Sequence, residues 1–257
     1  MEAGAGFNKT DRTLFSVKGL IRASIGRKRA KIGWHLLNDP GYRFSLTKRT
    51  RFYVHIPKTA GSSILEWCVQ KSVPVIVIGH DDRHSGFKSA AAWLEENDKD
   101  AFCVVRNPFD RLVSAYRYLA RGGNRESDRL DYERLVARYP GFRSFVLEGL
   151  GGPQKHEILR QIHLRPQMTW VRGQRGITVG NVIRYERLQD DFDHLFRSWG
   201  LGSGTLPEVN RAGREHSDYR EAYQLNGSTC PDMMEIVTTA YKEDFEIFGY
   251  ETHLGRS

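Results

Sequence analysis

The chain has 257 residues, 39% hydrophobic and 27% charged, an ordinary globular balance with enough length to bury a sizeable core. Its formal net charge is +8. No stretch approaches the roughly 18–20 apolar residues of a membrane span, and the start lacks the apolar core and cleavage site of a signal peptide, so a soluble, unexported, cytoplasmic protein is expected.

Residues 1–50 read as a basic lead-in. Residues 1–51 hold 12 Lys and Arg against 3 Asp and Glu, a balance of +9, whereas the remainder holds 27 against 28. Val17, Leu20, Ile21 and Ile25 recur at helical spacing beside Arg22, Arg27, Lys28, Arg29 and Lys31. Two readings stand. The segment is a basic amphipathic helix resting on an anionic surface, such as a membrane or an acidic glycan, or its apolar stripe packs on the body. The second is preferred. Nucleic acid is not an expected partner, because no aromatics interleave the basic run and no nucleic-acid-binding motif follows it.

Residues 51–257 read as one domain that alternates strands and helices. "RFYVHI" (51–56) predicts a buried strand, 62–71 a helix, "VPVIVIG" (73–79) a second strand, 89–97 a helix and "AFCVVR" (101–106) a third strand. "PFDRLVSAYRYLAR" (108–121) predicts a strong helix, with Asn107 as its cap and Pro108 in its first turn. Residues 122–164 read as mostly helical, with Gly/Pro breaks. "VIRYE" (182–186) predicts a fourth strand, 188–200 a helix, 201–217 a Gly-rich loop and 231–250 a single closing helix. Strands separated by helices predict an α/β fold of three layers, with a central parallel sheet flanked by helices. Cys68, Cys103 and Cys230 lie far apart, an odd set that argues against disulfides and a zinc site.

Ligands of such sheets sit beyond the carboxyl ends of strands. Residues 57–63 follow a strand and open a helix, where N–H groups and the helix dipole favour an anion. Lys58 adds a full charge, Thr59, Ser62 and Ser63 add hydroxyls, and Gly61 admits close approach of the backbone. The string G-x-x-x-x-G-K-[ST] of nucleotide triphosphatases occurs nowhere in the chain. Arg106 ends the third strand, so its guanidinium can point into the same crevice. Ser114 lies on the next helix with Arg117 and Arg121, which read as surface arginines. "GHDDRHSGF" (79–87) follows the second strand; His80 is the best candidate general base there, and Asp81, Asp82 or His84 could share the role. The His80/His84 spacing also suits a metal, but no further ligands accompany it, and no metal is expected. Glu186 and Asp244 read as structural, and Tyr241, Phe245, Phe248 and Tyr250 as core.

"HIPKTAGSS" (55–63) resembles the 5′-phosphosulfate loop of sulfotransferases that use 3′-phosphoadenosine 5′-phosphosulfate (PAPS), and "VVRNPFDRLVSAYRYL" (104–119) resembles their 3′-phosphate motif. With "HLRPQMTWV" (163–171), "VIRYERLQDDF" (182–192), Val209-Asn210 and "AYKEDFEIFGY" (240–250), the chain is similar over roughly residues 51–250 to the carbohydrate branch of that superfamily. That branch includes Golgi glycan sulfotransferases and bacterial relatives, and the chain resembles a soluble, bacterial-type member.

The resemblance implies a P-loop-like fold and transfer of a sulfuryl group from PAPS to a hydroxyl of a saccharide or glycolipid, with no metal required. Lys58, Thr59, Ala60, Gly61, Ser62 and Ser63 would hold the 5′-phosphosulfate, and Arg106 and Ser114 the 3′-phosphate. Lys58 would neutralise charge on the bridging oxygen. The Gly79-His80 pair matches the post-strand position of a base in related enzymes, although "DDRHSGF" after it departs from them. His163, Arg165 and Gln167 would line the acceptor or nucleotide side, or else form a capped helix end. The alternatives are a P-loop-type nucleotide kinase or other phosphotransferase, and a non-catalytic nucleotide- or glycan-binding module.

Overall fold

The computed structural model describes residues 51–71, 73, 75–78, 101–173, 176–202, 204–207 and 218–254. The basic lead-in, the helix expected at 89–97 and most of the loop at 201–217 lie outside the described residues.

Strands β1 (Arg51–Val54), β2 (Val75–Ile78) and β3 (Ala101–Val105) are short and almost wholly apolar, as strands covered on both faces must be. They pair in parallel: Tyr53 stands opposite Val77 on one side and Phe102 on the other. The strand β6 (Asn181–Arg184) completes the sheet in the order β2-β1-β3-β6. Between β3 and β6 lies a two-stranded hairpin of β4 (Arg172–Gly173) and β5 (Gly176–Ile177). This is the expected α/β class, a parallel sheet flanked by helices.

Helix α1 (Gly61–Gln70) follows β1, and α2 (Pro108–Ala120) follows β3. As expected, Asn107 caps α2, its side-chain oxygen accepting from Phe109 N at 2.9 Å, and Pro108 is the first helical residue. The middle region is helical and broken: α3 (Glu126–Leu135), a turn at Phe142–Ser144 that widens into a π turn at Phe145–Leu150, α4 (Lys155–Arg160) and α5 (Met168–Val171). Helix α6 (Leu188–Ser198) follows β6. A hairpin of β7 (Gln224–Leu225) and β8 (Ser228–Thr229) turns at Asn226-Gly227, both with positive φ, as a two-residue hairpin of this kind requires. The closing segment departs from the expected single helix. It forms α7 (Pro231–Ala240) and α8 (Lys242–Phe248), broken at Tyr241, whose φ of −117° and ψ of 27° leave the helical region. The Tyr241 hydroxyl donates to Leu164 O at 2.7 Å, and Asp244 binds backbone N–H groups of another segment. Those tertiary bonds override local helix propensity.

The described residues fall into two compact units. One, drawn from 51–55, 65–103 and 171–182, packs Phe52, Tyr53, Val54, Trp67, Phe102 and Val179, with the Tyr53 and Phe102 rings stacked at 4.8 Å. Cys68 and Cys103 are buried there, and burial pushes both thiols up to about 12, so they are inert at neutral pH. The other, drawn from 56–64, 104–170 and 183–254, closes around Phe109, Leu112, Val113, Phe145, Tyr223, Tyr241 and Phe245.

Candidate active site

Every group described below belongs to the second unit. The loop from Ile56 leads into α1 through two left-handed residues, Lys58 (φ 71°) and Ala60 (φ 69°), on either side of Thr59. Neither is glycine, and each costs about 1–2 kcal/mol in that region. Gly61 instead takes an ordinary conformation as the first residue of α1. Alternating handedness is how a chain turns successive N–H groups into an anion-binding concavity, and strain of this kind gathers at functional sites. Thr59 is fully buried, with its hydroxyl donating to Ile56 O at 2.8 Å, so its contribution to a ligand comes from its backbone. Ser63 N and Ile64 N donate to Ala60 O. Ser62 is half-buried and Ser63 buried.

Lys58 is half-buried, and its ammonium lies 4.0 Å from the centre of the Tyr118 ring. Among the described residues no acceptor bonds its Nζ. Burial, and then the positive charges of Arg106, Arg111 and Arg121, hold its pKa down at about 8 against the pull of Asp128. Cations crowd around a lysine that has no counter-ion in contact among the described residues.

Arg106 follows β3, and its guanidinium is held on several sides. Nε and Nη2 donate to the two oxygens of Asp110 at 2.7 Å each, Nη1 donates to Lys58 O at 3.2 Å, and the plane stacks 4.1 Å from the Tyr185 ring. Among the described residues one hydrogen on each terminal nitrogen is left without an acceptor, a pair that suits two oxygens of one phosphate. Ser114, two helical turns from the start of α2, is half-buried and its hydroxyl has no partner among the described residues.

Arg111 passed unremarked in the sequence and is only 2% exposed. Its Nε donates to Pro57 O at 3.0 Å and its Nη1 to Arg165 O at 2.9 Å, so it ties the 57–63 loop to the segment around 165. Its Nη2 has no hydrogen-bond partner among the described residues.

His163 is buried beneath this group. Its Nε2 lies 3.4 Å from Asp128 Oδ1, its ring is 4.6 Å from that of Tyr118, and Nδ1 lacks a partner among the described residues. Burial lowers its pKa despite Asp128, favouring the neutral ring at pH 7. Asp128 is almost fully buried in the first turn of α3 and accepts from Tyr118 Oη at 2.6 Å and from Asn124 N and Arg125 N at 3.1 Å each. Burial pushes its carboxyl up, but the bonds from His163, Tyr118 and the Asn124 backbone win, and it stays ionised well below the usual carboxylate range. Gly123 makes room for it. With φ +61°, a Cβ there would stand 2.3 Å from Asp128 Cβ.

Gln167 is fully buried and acts as a clamp. It accepts from Arg106 N at 2.9 Å and donates to Arg106 O at 2.8 Å, as a neighbouring strand would. Its own N–H and that of Met168 donate to Asp244 at 2.7 and 2.8 Å. Arg165 donates to Arg160 O at 3.0 Å, lies 5.4 Å from the Trp170 ring and offers its carbonyl to Arg111. Glu186 accepts from Asn107 N at 2.6 Å and from Tyr250 Oη at 3.0 Å, a structural role as expected.

The structure thus gathers Lys58, Thr59, Ala60, Gly61, Ser62, Ser63, Arg106, Ser114, His163, Arg165 and Gln167 in one unit. His80 and His84 lie outside the described residues. Arg111, Asp128 and Tyr118 are the participants that sequence reasoning missed.

A family model described as "Sulfotransferase family" matches residues 47–251. No curated protein and no solved structure gives a significant match.

Proposed function

The chain belongs to the sulfotransferase family, and from that premise we propose that it moves a sulfuryl group from PAPS to a hydroxyl of a saccharide or glycoconjugate. The observation that carries the donor site is Lys58: an ammonium whose N–H groups meet no acceptor among the described residues, near Arg106, Arg111 and Arg121 and beside a loop with two left-handed residues. Such a concentration of positive charge fits a ligand with several anionic groups. PAPS supplies a sulfuryl group already activated by its bond to phosphate. The loop N–H groups and the start of α1 receive the 5′ end, and those two hydrogens of Arg106 with the Ser114 hydroxyl receive the 3′-phosphate. Lys58 stabilises the charge that gathers on the bridging oxygen as the sulfur–oxygen bond breaks. His80 is proposed to take the proton from the acceptor hydroxyl as its oxygen bonds to sulfur. Transfer of this kind asks the protein mainly for positioning and charge stabilisation.

The saccharide acceptor rests on the resemblance of 163–171, 182–192 and 240–250 to the carbohydrate branch. A radiolabelled sulfuryl donor offered to glycans and lipid-linked sugars tests it: label on a saccharide is expected, and label only on non-sugar alcohols or phenols contradicts it. In the same assay His80→Ala should lose transfer while still binding the product 3′-phosphoadenosine 5′-phosphate. An active His80→Ala enzyme would remove the base from that position.

The lowered pKa of Lys58 gives a pH signature. A bound anion favours the ammonium, so binding takes up a proton wherever the ligand-free amine is already neutral. Affinity for 3′-phosphoadenosine 5′-phosphate should be level near pH 7 and fall as pH rises through about 8, by up to about tenfold per unit. Calorimetry in buffers of different ionisation enthalpy near pH 8 should register proton uptake. Affinity that is flat from pH 7 to 9.5 would contradict the assignment.

A further inference from the structure

A lysine side chain is a flexible stem with a compact charge at its tip, and left alone it extends into water. Lys58 has further reason to do so. Arg106 from the end of β3 and Arg111 and Arg121 from α2 and its end all repel it, whereas Asp128 attracts it from α3 and His163 is neutral at pH 7. Yet its Nζ rests 4.0 Å over the Tyr118 ring.

That ring is fixed at both ends. Its Cα lies in α2. Its hydroxyl donates to Asp128 at 2.6 Å and accepts from Asn124 N at 2.9 Å. Asp128 is in turn pinned by Asn124 N, Arg125 N and His163, and the His163 ring packs against Tyr118. This buried network also caps the start of α3 through Asp128. It holds one aromatic face still under one ammonium.

An aromatic face holds a cation through its quadrupole and takes none of the N–H hydrogens. A carboxylate in the same place would also hold the lysine, but it would occupy those hydrogens and compete with the incoming anion. We propose that Tyr118, anchored by Asp128, is the positioning residue for Lys58, keeping its ammonium at the mouth of the 58–63 loop with its donors open to the ligand. What Lys58 then does there rests on the sulfotransferase reading; that Tyr118 holds it does not.

The test reads both levels. Competitive acetylation with peptide mapping follows the titration of Lys58 in the ligand-free protein, and transfer kinetics follow its consequence. Tyr118→Leu should lower the Lys58 midpoint from about 8 by roughly half a unit to one and a half units. It should cost about tenfold in kcat with little change in KM for the donor. Tyr118→Phe keeps the ring but loses its bonds to Asp128 and Asn124 N, so both kcat and the midpoint should fall between those of the parent and of Tyr118→Leu. Phenylalanine analogues of increasing fluorination at position 118 keep the ring's size while draining its face, so the midpoint should fall stepwise even if the leucine variant does not fold. The proposal is overturned if pentafluorophenylalanine titrates Lys58 like phenylalanine, or if Tyr118→Phe falls as far as Tyr118→Leu. Failure of the sulfotransferase reading would look different: the parent protein would transfer nothing, while the acetylation series would still respond.

Discussion

Lys58→Ala should lower the rate of sulfuryl transfer by about 10²–10³-fold in single turnover, the usual loss when one preorganised charge opposite a developing anion is removed. The expectation follows from the surroundings of Lys58. Three arginines raise the potential at the site, but Arg106 is committed to Asp110 and the Lys58 carbonyl, and Arg111 to the carbonyls of Pro57 and Arg165. Lys58 alone of these has a charged tip with no acceptor among the described residues. Affinity for 3′-phosphoadenosine 5′-phosphate should suffer less than the rate, because the loop backbone, Arg106 and Ser114 are proposed to bind it as well. Lys58→Arg should not restore activity, since a planar fork lacks the compact tip that rests on Tyr118. A loss below about tenfold would mean that Lys58 serves binding alone.

Asp244→Ala should cost about 3 kcal/mol or more of folding stability, although residue 244 lies on the last helix. Asp244 is fully buried and accepts from Gln167 N and Met168 N at 2.7 and 2.8 Å. Removing it strands two buried N–H groups, each costing about 1–3 kcal/mol. Urea denaturation should show a lower midpoint, with Asp244→Asn intermediate because one carbonyl acceptor remains. The defect should reach the site too: Gln167 clamps both backbone groups of Arg106, so loosening it frees the strand end proposed to contact the 3′-phosphate. Unchanged stability in Asp244→Ala would show that those N–H groups find other acceptors.

What could be read ahead of the structure was whatever has a local signature. The apolar strands, the Asn107-Pro108 helix start and the strand–loop–helix around Lys58 all depend on neighbours in sequence, and all were legible to within a residue or two. The break at Tyr241 was not. It contains no glycine or proline, and its cause is a carbonyl at Leu164 and two N–H groups at 167 and 168. The Asn226-Gly227 hairpin did carry a local signal, the strongest short one for a two-residue turn.

The site divides in the same way. Lys58, Arg106 and Ser114 stand in motifs. Arg111 was invisible because its partners are backbone carbonyls of Pro57 and Arg165, and a carbonyl leaves no mark on residue type. Tyr118 and Asp128 looked like any aromatic on a helix and any acid in a first turn. Only the fold shows that the one orients the other beneath Lys58.

The central claim is that one adenosine nucleotide with phosphate at both its 3′ and 5′ positions fits the cations gathered around Lys58. Isothermal titration of the full chain with 3′-phosphoadenosine 5′-phosphate, beside ATP and adenosine 5′-phosphate, tests it most directly. Tight binding of the bisphosphate, with ATP and the 5′-monophosphate weaker by at least about tenfold, is the predicted result. Equal or tighter binding of ATP, or no binding of the bisphosphate, would contradict it.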